Sequence, residues 1–203
     1  RAPVTNHRVA LNWRLGLNAR GTRLAVSEIG YTEHPFSQFL SSKPSSVTML
    51  VLGIDPGCGS TGYALLDKVR GRYLLKGSGA IQSSASQPME QRLAAIHEGL
   101  CAQIEVFRPD VVAIEAIFRH KSSESALKLG QARGVALLAA AQAKVPLFEY
   151  NAMTVKKSVT GSGRADKNQV SRVVRMLLGH DVEGPHDAVD AVAIAITHHA
   201  HSH

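Results

Sequence analysis

Two short apolar runs in this chain each end on a carboxylate. Leu50-Val51-Leu52-Gly53-Ile54-Asp55 and Asp110-Val111-Val112-Ala113-Ile114-Glu115 have the length and unbroken apolar interior of strands buried on both faces. The first is followed by the turn Pro56-Gly57-Cys58-Gly59-Ser60, and residues 61–66 read as a second strand, hairpin-paired to it. After the turn Arg70-Gly71-Arg72, residues 73–81 read as a third strand. Residues 89–107 place Leu93, Ile96, Leu100, Ile104 and Phe107 at spacings of three and four, an amphipathic helix that Pro109 stops. Residues 122–143 form an Ala/Leu-rich helix weakened only by Gly130 and Gly134. A fifth strand is expected over 145–149, with helices over 152–159, 167–178 and 186–199.

Three strands joined by tight turns predict an antiparallel meander, and later strands reached through helices predict parallel crossovers. The expected architecture is an α/β fold: a mixed five-stranded sheet with helices on both faces. The last helix is apolar on nearly every side, so it must pack, and its acids Asp187 and Asp190 share one face at i and i+3.

Composition narrows the class. At 44% hydrophobic and 19% charged over 203 residues, the chain is neither disordered nor fibrous and has room for one full core. Two cysteines make neither a disulfide framework nor a four-Cys zinc site, which favours a reducing compartment, the cytoplasm. No apolar run reaches the length of a membrane span.

The net charge of +7 points to an anionic partner, but it is unevenly placed. Residues 1–48 hold six basic and two acidic side chains, lack a sustained apolar period and close on the Ser/Pro-rich run 41–46. They read as a transit peptide, as a basic nucleic-acid arm, or as sequence lying ahead of Met49; Glu28 and Glu33 suit the first poorly. The expected organisation is one folded domain over 49–203 behind an extension, 1–48, that is disordered or no part of the mature protein. Residues 119–175 hold eleven basic against three acidic side chains, whereas the stretch beyond has Asp181, Glu183, Asp187 and Asp190 with no Lys or Arg.

Parallel neighbours would bring Asp55 and Glu115 to the same sheet edge. Alone, Asp55 also suits a residue holding the following turn, and Asp187 a helix N-cap. Glu115 has no such easy role, because an unpaired buried carboxylate is costly. Four converging carboxylates repel one another unless a divalent cation lies between them. An all-oxygen set suits Mg²⁺ or Mn²⁺ better than zinc, and paired ions of that kind support phosphodiester cleavage. Gly161-Ser162-Gly163-Arg164-Ala165-Asp166-Lys167, with Lys156 and Lys157 upstream, suits phosphate oxygens or equally a solvated loop; it is not a P-loop. Phe118 beside Glu115 suits base stacking or core packing.

Taken together the motifs resemble the RuvC family of crossover (Holliday) junction endodeoxyribonucleases. Leu52-Gly53-Ile54-Asp55-Pro56-Gly57 with Thr61-Gly62-Tyr63 resembles its first catalytic strand, and Ile114-Glu115 with Phe118 its second acidic site. Residues 125–134 (SALKLGQARG) resemble its most recognisable helix, Lys156 through Gln169-Val170 its DNA-facing loop, and Asp187-Ala188-x-Asp190-Ala191 its closing acidic helix. The resemblance runs from about Met49 to the last residues. It implies an RNase H-like nuclease domain over 49–203, a homodimer, and Mg²⁺-dependent paired symmetric nicking of four-way DNA junctions in recombination and repair, with Mn²⁺ substituting. The nicks leave 5′-phosphate and 3′-hydroxyl ends, fall at preferred thymine-containing sites, and are made in concert with the branch-migration complex RuvA–RuvB. By resemblance, Asp55, Glu115, Asp187 and Asp190 are the catalytic metal ligands, Lys156 and Lys167 contact phosphate, Phe118 contacts junction bases, and His186 is a neighbour that tunes Asp187. The alternatives are another RNase H-like nuclease acting on RNA, an actin-like nucleotide-binding protein, for which the chain is too short, and a junction-binding scaffold without catalysis.

Overall fold

A computed structural model describes residues 48–116 and 123–202. In chain order it contains β1 (Val51–Asp55), β2 (Ser60–Val69), β3 (Arg72–Gln82), α1 (Met89–Phe107), β4 (Val111–Glu115), α2 (Ser123–Gln142), β5 (Leu147–Tyr150), α3 (Ala152–Thr160), α4 (Lys167–Leu178) and α5 (His186–His201). The strands form a five-stranded sheet in the order β3-β2-β1-β4-β5. β1, β2 and β3 pair antiparallel, and β1–β4 and β4–β5 pair parallel. Element order and sheet type match the expectation, with ends shifted by a few residues. The expectations for residues 1–47 and for Phe118 fall outside the described residues.

The period of two along each strand divides the core between the faces. Leu52 and Ile54 of β1, Leu65 of β2, and Val112 and Ile114 of β4 pack against Ile96, Leu100 and Ile104 of α1 and the alanines Ala132, Ala136, Ala139 and Ala140 of α2. Val51, Ala64, Leu66, Val111 and Ala113 face the other way, onto α3, α4 and the central α5. Asp55 is four residues after Val51 and Glu115 four after Val111, so both carboxylates point to the α5 face. The parallel register pairs Ile54 with Ile114, which sets the two acids side by side one residue later.

α5 is buried from Ala191 to His199, with Ile194 and Ile196 each contributing about 1.5–3 kcal/mol by leaving water. It lies very close to the sheet. A Cβ on Gly53 would run into the Ala191 carbonyl, and one on Gly62 into the Asp187 carbonyl. Glycine at these strand positions is therefore what lets the helix backbone approach.

Candidate active site

Four acids meet where β1, β4 and the first turn of α5 come together. Carboxylate oxygens of Asp55, Asp187 and Asp190 lie within 4.8 Å of one another. Glu115 joins them through a side-chain hydrogen bond with Asp55. The surroundings raise both carboxyls of this pair. Burial, reinforced by the charges of Glu115, Asp190 and Asp187, pushes Asp55 up from 3.8 to about 8. Burial also raises Glu115, opposed by the Asp55 hydrogen bond and by Lys167 and Lys156. Burial and mutual repulsion thus favour the protonated form of both carboxyls.

Asp55 does not hold the turn that follows it. Thr61 does: its hydroxyl donates to the Gly57 carbonyl at 2.8 Å and accepts from the Gly57 N–H at 3.3 Å. Arg92 of α1 donates through Nη2 to the Cys58 carbonyl at 2.7 Å, and the Ser83 N–H donates to the Gly59 carbonyl at 3.0 Å. Nor does Asp187 cap its helix. The N-cap residue of α5 is Pro185, without a side-chain cap bond. Both aspartates are thus free of the local duties that would otherwise explain them.

Two lysines complete the site. Asp55, Glu115, Lys156, Lys167 and Asp190 line one cleft of about 300 Å³ with Val155 and Ile194 in its wall. Lys167 Nζ donates to Asp190 Oδ2 at 3.1 Å, and this contact raises the Lys167 pKa. An exposed pair of this kind contributes only about 0–1 kcal/mol to stability, so its position at the cleft counts for more than its energy. The loop that delivers Lys167 is ordered by its own bonds. Gly161 ends α3 at φ 80°, and Asp166 starts α4 with a capping box to Gln169. Those bonds order the loop, although most of its residues are exposed.

All six expected site residues among the described ones therefore come to one place, and Phe118 lies outside the described residues. His186 is adjacent in sequence but exposed, and it lines a separate concavity with Arg172. The sequence reading assigns no role to Arg92, Thr61 or Asp166. The Asp-x-x-Gln spacing is a usable signal for Asp166, whereas the Arg92 contact spans 34 residues and has no local signature.

The donor set fits a hard divalent cation. It is all oxygen, its four acids outnumber the two lysines of the cleft, and burial with their mutual repulsion raises Asp55.

Comparison with known proteins decides the family. The family model for the crossover junction endodeoxyribonuclease RuvC matches residues 51–198. This chain belongs to the RuvC family. The RuvC of Citrifermentans bemidjiense is 46% identical over 154 residues, covering 76% of this chain and 93% of its own. The Thermus thermophilus RuvC structure superposes with a TM-score of 0.68 at 35% identity, covering 75% of this chain and 94% of that one. The same protein in complex with Holliday junction substrate gives 0.70 at 36% identity, covering 74% and 93%. The fold is RNase H-like. RuvC nucleases depend on a divalent metal, and the acidic cluster offers the ligands for one. Among the described residues no helix is long and apolar enough to cross a membrane.

Proposed function

We propose that this chain is a Holliday-junction resolvase that nicks two strands of a four-way DNA junction symmetrically, using Mg²⁺ held by Asp55, Glu115, Asp187 and Asp190. The observation that carries the reading is the convergence of these four acids with Lys156 and Lys167 in one cleft. When bound, the metal supplies a Lewis acid that stabilises the charge gathering on the phosphate oxygens. Mn²⁺ fits the same oxygen set.

The chain's own residues do the rest. Asp55, Glu115, Asp187 and Asp190 would hold the cation as carboxylates, the form in which all four can act as ligands. Lys156 and Lys167 face the non-bridging oxygens of the scissile phosphate and orient it by charge. Water attacks phosphorus, the bond to the 3′ oxygen breaks, and that oxygen takes a proton. The ends are a 5′-phosphate and a 3′-hydroxyl. Phe118, which follows Glu115 closely in the chain, stacks on a junction base.

Paired nicks need two such sites. A second copy docking on α2 supplies the other, since Leu127 and Leu138 are 65% and 50% exposed and stand with Gln131, Gly134 and Ala141 at spacings of four and three. The working domain spans 49–203, acts in the cytoplasm, and takes over from the branch-migration complex RuvA–RuvB. A gel assay with Mg²⁺ on a four-way junction, a linear duplex of the same sequence and a structured RNA tests the reading. The junction is cut in symmetric pairs and the others are spared; equal cutting of duplex or preference for RNA overturns it.

A further inference from the structure

α4 continues beyond Lys167 with Asn168, Ser171, Arg172 and Arg175 along one side. Together with Asp181 and His186 they line a second concavity of about 270 Å³. It is separate from the catalytic cleft but flanks it along the chain: Asn168 follows Lys167 of the cleft, and His186 precedes Asp187 of the acidic cluster. Every residue that lines it carries a polar or charged group. Its one carboxylate is already neutralised, because Arg175 Nη1 donates to Asp181 Oδ1 at 3.3 Å. Arg172 is exposed and makes no ion pair among the described residues. The charge left over is therefore positive, and the uncommitted groups around it are an amide, a hydroxyl and an imidazole. This is the chemistry of an anion site.

We infer that this concavity seats a backbone phosphate of the cut strand, with Arg172 as its principal contact. The inference rests on the resolvase reading and deepens it by placing the strand. Arg172 is five residues past Lys167, or about 7.5 Å along the helix axis. Five residues also carry Arg172 about 140° around the helix from Lys167, so its phosphate is a neighbour of the scissile one and not the scissile one itself. A contact of this kind carries no base sequence; it holds the register of the strand while the acids act on one bond.

The test uses four-way junctions in which a single phosphate, at each of three positions on either side of the cut, is replaced by a neutral methylphosphonate. Binding is measured with Asp55→Asn protein, so that the DNA stays whole, with and without Arg172→Ala. Arg172→Ala weakens binding to the unmodified junction about tenfold at low salt and lowers the salt slope by about one. The protein with Arg172 intact loses affinity at a neutral linkage near the cut, at one position that depends on Arg172. In the Arg172→Ala protein that one penalty vanishes while the others persist. Arg172→Lys, which keeps the charge, recovers most of the affinity. Wild-type affinity and slope in Arg172→Ala, or an unchanged set of position penalties, overturns the inference. Failure of the Arg172-intact protein to prefer junctions over duplex is a different result, and overturns the resolvase reading itself.

Discussion

The two faces of the sheet are packed by opposite means. Towards α1 and α2, bulky side chains fill the gap, Leu52, Ile54, Leu65 and Ile114 against Ile96 and Leu100. Towards α5, side chains are removed: Gly53 and Gly62 meet the helix backbone at Ala191 and Asp187. Only the second face carries the acids. A contact between large aliphatic groups relaxes when it is altered, by rotamer changes and small shifts. A contact between two backbones has nothing to rotate. Asp187 and Asp190 of α5 are thus held at a set depth by what the strands lack, while the other face is filled by side chains.

The largest effect breaks the chemical face directly. Glu115→Gln keeps size and packing but removes a ligand, and single-turnover junction cleavage falls about a thousandfold, a loss of the size seen when one transition-state contact is removed. Binding stays within a few fold.

The next pair of variants sets one face against the other. Gly62→Ala pushes α5 away at Asp187 and costs about 1–3 kcal/mol of stability, yet slows cleavage about a hundredfold, the cost of an ångström of misplacement. Leu100→Ala costs about 2–5 kcal/mol through the cavity it leaves, yet the folded fraction cuts at nearly the wild-type rate. Denaturant melts paired with single-turnover rates read both. Equal kinetic damage from the two variants would erase the distinction between the faces.

A smaller effect follows at the cleft wall. Lys167→Ala slows cleavage and lowers the salt slope of junction binding by about one. Thermal stability hardly moves, because the exposed Lys167–Asp190 pair contributes little.

Removing the metal exposes the electrostatics of the same face. Asp55 has a folded pKa of about 8, above its ordinary 3.8. Its protonated form is favoured by folding, so its contribution is present in full below the ordinary value and is lost as pH rises through the folded one. In chelator, the wild-type melting temperature therefore drops from about pH 5 to about pH 8, Asp55→Asn flattens the drop, and added divalent cation restores stability to the wild type. A wild-type profile parallel to that of Asp55→Asn would contradict this. The smallest expected change is none: deleting residues 1–48 leaves junction cleavage intact, as measured in the same gel assay.

Much of the fold and of the site is legible in the sequence. Strands ending in Asp55 and Glu115, and an apolar helix with acids at i and i+3, suffice to propose one metal centre, because strand and helix periods convert spacing into facing. The order of elements carries the mixed sheet. What escapes is information without a local pattern. Arg92 reaches Cys58 across the fold, and α4 meets the start of α5 only because both pack on the same face of the sheet. Gly53 and Gly62 have a readable signature, since glycine inside a strand marks a close approach, but nothing in the sequence says that α5 is what approaches. The case for Phe118 rests on its neighbourhood to Glu115 in the chain.

The central claim is that four carboxylates act together as a metal-holding catalytic centre. Single-turnover cleavage of a four-way junction across a Mg²⁺ titration, with wild type and Asp55→Asn at matched junction occupancy, tests it most directly. The account predicts Mg²⁺-dependent cutting by the wild type and none by Asp55→Asn, with both bound to the junction. Cutting by Asp55→Asn within about tenfold of the wild type, or wild-type cutting that persists in chelator, would contradict it.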